Sequence, residues 1–164
     1  MTLIGLDSRS EEFDNLTLTV GMGTKLTLQD VRITGDKTLL SLAGGNTLTL
    51  LGENRLIGCA DASGNACPTV ISGGDLTICD SGSLKLQALV NNAAFMGAET
   101  SKISIENCLI SVFKSDELGF DGGAFCANGA DLTMTNATFF GRTDSDNVAV
   151  LSADTIAMTG CTLR

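Results

Sequence analysis

A tripeptide of apolar, small polar and apolar residues returns six times along this 164-residue chain. The copies are Leu26-Thr27-Leu28, Leu48-Thr49-Leu50, Leu76-Thr77-Ile78, Ile103-Ser104-Ile105, Leu132-Thr133-Met134 and Ile156-Ala157-Met158, spaced by 22, 28, 27, 29 and 24 residues. Apolar alternation at period two makes a strand with one buried face. Recurrence of such a strand every 20–30 residues, roughly, is the mark of stacked solenoid repeats.

Columns on either side of the tripeptide extend the pattern. Eight residues before its first position stand Leu18, Leu40, Pro68, Phe95, Ala124 and Val148, and six before stand Val20, Leu42, Val70, Gly97, Cys126 and Val150. These predict a preceding strand with inward residues at both columns. A third strand is predicted after the tripeptide, with Val31/Ile33, Leu56/Gly58, Leu84/Leu86, Cys108/Ile110, Ala137/Phe139 and Cys161/Leu163 inward. The bend between the second and third strands carries Asp30, Asn107, Asn136 and Gly160 at one offset. Those residue types tolerate the left-handed conformation that a tight turn demands. The expectation is all-β: a single-stranded right-handed parallel β-helix (β-solenoid) with three strands per coil and about six coils, forming one domain over 1–164. A β-sandwich also accommodates regular short strands.

Composition narrows the chemistry. Tyr, Trp and His are absent, so no His base, His ligand or Trp/Tyr stacking platform exists. The net charge of −9 argues against nucleic acid, whose phosphates need clustered bases, and no 18-residue apolar run suits membrane insertion. The N-terminus lacks the basic and apolar regions of a signal peptide. The C-terminus stops inside the repeat, which predicts a fragment of a longer secreted protein, or else an open end that self-associates end to end or laterally.

Function is expected where the pattern varies. Segments 7–15, 59–67, 88–93, 113–123 and 141–147 fall at one corner and stack along one edge, with 11 of the 19 acids in or beside them. Loops on a rigid scaffold commonly carry binding. Calcium needs six to eight oxygen ligands, and Asp116, Glu117, Asp121, Asp144 and Asp146 are the candidate ligands and binding residues. Solvated loops are also acidic simply for solubility. Phe113 and Phe120 are candidate ligand contacts beside them. Ile71, Met96, Phe125 and Leu151 are predicted outward from the first strand as an apolar interface. The file Thr27, Thr49, Thr77, Ser104, Thr133 and Ala157 is a hydroxyl ladder, but its neighbours Lys25, Thr47, Asp75, Lys102 and Asp131 lack the uniformity a crystalline ligand requires.

Of six cysteines, Cys108 and Cys161 share an inward column two coils apart, about 10 Å at the spacing of strands and too far to bridge. Cys126 reads as another core residue. Cys59 and Cys67 flank a tight loop and are the disulfide candidates. Cys79 faces outward.

The run Leu48-Thr49-Leu50-Leu51-Gly52-Glu53-Asn54-Arg55-Leu56-Ile57-Gly58, with Val70-Ile71-Ser72-Gly73-Gly74-Asp75-Leu76-Thr77-Ile78 and Gly82-Ser83-Leu84-Lys85-Leu86, resembles the β-helical repeats of secreted and cell-surface bacterial proteins. These include carbohydrate-binding β-helix domains with a pectate-lyase-like fold. Asp121-Gly122-Gly123-Ala124-Phe125 with Leu132-Thr133-Met134-Thr135-Asn136 is similar to the repeats of autotransporter passengers. The resemblance implies an extracellular or cell-surface module for adhesion or glycan binding, with a polysaccharide or host-surface ligand. A structural stalk, a passenger segment and a polysaccharide lyase are the alternatives. The Gly-His-Gly and Arg-Ile-Lys signatures of polygalacturonases are missing. Arg32, Arg55 and Lys85 stand at outward strand positions without a carboxylate cluster beside them, so no acid/base pair assembles and a non-enzymatic role is expected.

Overall fold

The computed structural model describes residues 1–5, 12–60, 62–64, 67–89, 92–114, 124–143 and 149–164. These form a parallel β-solenoid whose described secondary structure is entirely strand. Every strand pairs in parallel with its equivalent one coil away, in three rows.

The first row holds Leu18–Val20, Leu40–Leu42, Val70–Ser72, Phe95–Gly97 and the leading parts of Phe125–Thr135 and Leu151–Thr159. The second holds Thr2–Ile4, Lys25–Gln29, Asn46–Leu51, Leu76–Cys79, Lys102–Glu106 and the trailing parts of the same two long strands. The third holds Phe13–Asp14, Arg32–Gly35, Glu53–Gly58, Ser83–Ala88, Leu109–Lys114, Thr138–Thr143 and Thr162–Leu163. Parallel strands need a long crossover between them, and here the other two sides of the coil supply it.

The corner between the second and third rows forms as its residue types demand. Asp30, Asn107, Asn136 and Gly160 all have φ between 49° and 64°, and Gly52 (63°) and Asp80 (83°) fill the file in the intervening coils. Asn136 Nδ2 donates to Asn107 Oδ1 at 3.5 Å, so the file is also linked along the axis. Gly52 is required sterically as well, because a Cβ there would overlap the Asp30 carboxylate, which accepts from Glu53 N at 3.0 Å.

The core is one continuous apolar column system. In the second row Leu26, Leu48, Ile78, Ile105 and Met134 stack with 1% or less exposure. Each such side chain contributes about 1.5–3 kcal/mol on burial. The leucine core gives way to aromatics towards the C-terminus. Phe95 and Phe125 stack at 4.1 Å between centroids, and Phe139 meets Phe125 edge-on at 5.7 Å.

Three register assignments differ from the sequence expectation. In the second row Ile78 lies against Leu48, and Leu76 lies against Asn46. In the third row Ile110 lies against Leu84, and Leu84 against Asn54. Both shifts are two residues, and each brings an asparagine to an inward position, Asn46 opposite Leu76 and Asn54 opposite Leu84. Asn46 and Asn54 are each 2% exposed. Asn54 Oδ1 accepts from Val31 N (3.0 Å), and its Nδ2 donates to Leu51 O (3.1 Å) and Ser83 O (3.2 Å). Asn46 Oδ1 accepts from Gly44 N (2.7 Å), and its Nδ2 donates to Gly21 O (2.7 Å) and Thr24 O (3.3 Å). A buried amide with all these partners is satisfied rather than penalised.

The third difference is in the first row. Its ladder runs Leu18, Leu40, Val70, Phe95, Phe125, Leu151, not through Pro68, Ala124 and Val148. The corner between the first two rows changes length along the solenoid. From Met96 to Lys102 the chain advances six residues, but between their partners Cys126 and Asp131, with Gly129 at φ 76°, it advances five, a shift of one. An odd shift exchanges the faces.

Candidate functional site

That exchange corrects the expected apolar interface. Phe125 is fully buried and Leu151 lies below it in the inward ladder. Ile71 and Met96 do face outward and adjoin each other, with Cys126 and Ser152 completing their file. The four apolar residues therefore do not make one surface.

Of the residues expected at the acidic edge, Asp116, Glu117, Phe120, Asp121, Asp144 and Asp146 lie outside the described residues. Among the described residues no group of three His, Cys, Asp or Glu side chains converges to hold a metal ion. No helix among them is long and apolar enough to cross a membrane. All six cysteines are free thiols, so the expected pairing of Cys59 with Cys67 is not formed. Cys59 is half-buried, and burial followed by the nearby Asp36 and Asp14 charges raises its pKa. Cys108 is buried, and desolvation pushes its thiol up to about 12.

A different surface gathers chemistry: the outward side of the third row. One file runs Arg32, Arg55, Lys85, Ser111, Phe140 through consecutive coils. The next file runs Thr34, Ile57, Gln87, Phe113, Arg142. Parallel pairing holds equivalent positions about 4.8 Å apart, so these side chains are neighbours by construction. Four of the chain's ten bases stand on this one face.

Two adjoining grooves follow these files. One, of about 320 Å³, is lined by Arg32, Glu53, Asn54, Arg55, Ser83, Lys85, Leu109 and Ser111. The other, of about 340 Å³, is lined by Lys85, Gln87, Ser111, Val112, Phe113, Phe140 and Arg142. Lys85 and Ser111 border both, so the grooves form a continuous track across the coils. The first is the more charged end, with Arg32, Glu53, Arg55 and Lys85 in its lining. At the second, Phe140 is 46% exposed and the Arg142 guanidinium lies 5.8 Å from the centre of the Phe113 ring.

Glu12 is the acid that reaches the Arg file from its N-terminal side. Its Oε2 accepts from Thr34 Oγ1 at 2.8 Å, and its Oε1 lies 3.7 Å from Arg55 Nη1. Arg55 Nε also donates to Gln87 Oε1 at 3.3 Å. The Glu12–Arg55 pair is more than one-third exposed on both sides, so it is worth about 0–1 kcal/mol and an incoming anion competes with it easily. At the far end of this row Lys114 is completely buried.

The sequence placed Arg32, Arg55 and Lys85 outward, and Phe113 among the candidate contacts. It missed Phe140 and Arg142, which join the track only through the register between coils. Comparison with known protein families, with curated proteins and with solved structures finds no match to this chain.

Proposed function

We propose that this chain is a non-enzymatic, extracellular carbohydrate-binding module whose ligand lies along the outward face of the third row. The observation that carries this reading is the joined track of Arg32, Arg55 and Lys85 with Phe113, Phe140 and Arg142, on a chain of net charge −9. Bound carbohydrate needs polar groups that fix hydroxyl and anionic substituents and an apolar surface for ring faces. The N-terminal groove offers the first and the C-terminal groove the second. A rigid solenoid holds both at fixed spacing with little ordering to do on binding, which favours affinity.

Binding without catalysis is the better reading because, of the two carboxylates beside the bases, Glu12 and Glu53, the first is already engaged. Glu12 accepts from Thr34 and meets Arg55. General acid/base work on a glycosidic bond requires a positioned pair with room for the reacting atoms. An array of polysaccharides, read with and without chelator, is the direct test. Retention of at least one glycan without chelator sensitivity is expected, and failure to retain any glycan removes the reading. Ultraviolet-absorbing unsaturated products from an acidic polysaccharide would instead establish a lyase.

A further inference from the structure

We infer that the N-terminal groove of this track is a subsite for a sulfate ester on the bound polysaccharide. The inference rests on the glycan-binding reading and adds the class of substituent. Three cations, Arg32, Arg55 and Lys85, line the groove against one lining carboxylate, Glu53. Ser83 stands two residues before Lys85 on the same strand, and Ser111 lies directly against Lys85 on the next. Donors thus approach from several coils and from two kinds of side chain.

That arrangement discriminates between anions. A carboxylate has two oxygens and is satisfied by one guanidinium fork. A sulfate ester has three terminal oxygens and spreads its charge over them, so it is served by several donors converging from different directions. Guanidinium is more weakly hydrated than ammonium, and sulfate esters are likewise weakly basic and weakly hydrated. Arg32 and Arg55 therefore meet a partner that sheds water as readily as they do. The Glu12–Arg55 contact at 3.7 Å leaves room for such an exchange. A phosphodiester fits less well, because it offers two terminal oxygens, as a carboxylate does, and engages fewer of these donors. The adjoining Phe113 and Phe140 groove then receives the uncharged ring faces of neighbouring sugars.

The test compares dextran sulfate with unmodified dextran of equal length, with polygalacturonate as the carboxylate comparator and a single-stranded oligonucleotide as the phosphate comparator. Dextran sulfate is expected to bind about tenfold or more tightly than each of the others. Arg55→Ala with Lys85→Ala should remove about tenfold or more of that affinity. Lys25→Ala with Lys102→Ala makes the same change in net charge on the second row and should leave binding within about twofold. Melting curves of both double variants separate loss of the subsite from loss of the fold. Equal or tighter binding of polygalacturonate or the oligonucleotide overturns the sulfate inference, and for polygalacturonate leaves the glycan-binding reading standing. Equal loss in the two double variants overturns it too, since general charge would then explain the affinity. Failure of every polysaccharide here and on the array removes both readings.

Discussion

The outward faces of the second and third rows are built on the same coils, at the same spacing, yet they present opposite surfaces. The second row shows hydroxyls: Thr2, Thr27 and Thr49 in one file, and Thr47, Thr77, Ser104 and Thr133 in the next. Its charges are of both signs and cancel locally, as where Lys102 lies directly against Asp131. The third row gathers Arg32, Arg55, Lys85 and Arg142 with two aromatic rings. Backbone geometry is common to both, so it cannot be the source of any difference in binding. The scaffold sets the 4.8 Å repeat, and the outward side chains decide what is held at that repeat.

The largest effect should come from behind both faces. Phe125 touches Phe95 and Phe139 and so ties the first row to the third. Phe125→Ala is expected to cost about 3–5 kcal/mol, measured by denaturant unfolding. Glycan binding and the protection of second-row amides from hydrogen exchange should then decline together. If binding on the third row fails while the second row stays protected, the two faces do not share one cooperative scaffold.

Asn54 offers a narrower cut. Replacing it with Leu keeps an apolar volume inward but leaves Val31 N, Leu51 O and Ser83 O without their partner. About 1–3 kcal/mol of destabilisation is expected, concentrated where Asn54 borders the cationic groove. Hydrogen exchange should rise at Val31 before it rises at Thr27 or Thr49. Uniform loosening would show that the asparagine serves the whole solenoid instead of the third row.

These same residues explain how far the sequence could be read. The coil, its three strands and the left-handed corner were legible because they rest on period-two alternation and on Asp, Asn and Gly at one offset. A two-residue slip at Asn46 or Asn54 preserves which side chains point inward, so the faces survived although the ladders were misaligned. The odd shift near Gly129 was not survivable, and Phe125 changed sides. Nothing in local pattern distinguishes an inward asparagine from a turn asparagine. Its partners come from three coils, more than twenty residues away in two cases. The candidate site failed to show for the same reason: Lys85, Phe113 and Phe140 are far apart in sequence, and only the register brings them to one track.

Within the track, the aromatic end should matter less than the cationic end. Phe140→Ala removes an exposed ring that is not part of the core. An affinity loss of about 0.5–1.5 kcal/mol is expected, with little change in melting temperature. Titration calorimetry on a sulfated and an uncharged glycan gives the sharper reading. A similar loss on both identifies Phe140 as a ring-face contact, and a loss confined to the sulfated ligand assigns it to the charged groove.

The smallest effect is reserved for the hydroxyl face, and it is the one that most directly tests the contrast. Thr49 and Thr133 lie outward, and neither is buried. Val keeps the β-branched shape that suits a strand and removes only the hydroxyl. Thr49→Val with Thr133→Val should therefore change stability by no more than about 0.5 kcal/mol per site and leave glycan affinity unaltered. A drop in affinity comparable to that of the cationic double variant would place ligand on the second row. The repeat of hydroxyls would then be a binding surface in its own right, and the division between a neutral face and a binding face would no longer hold.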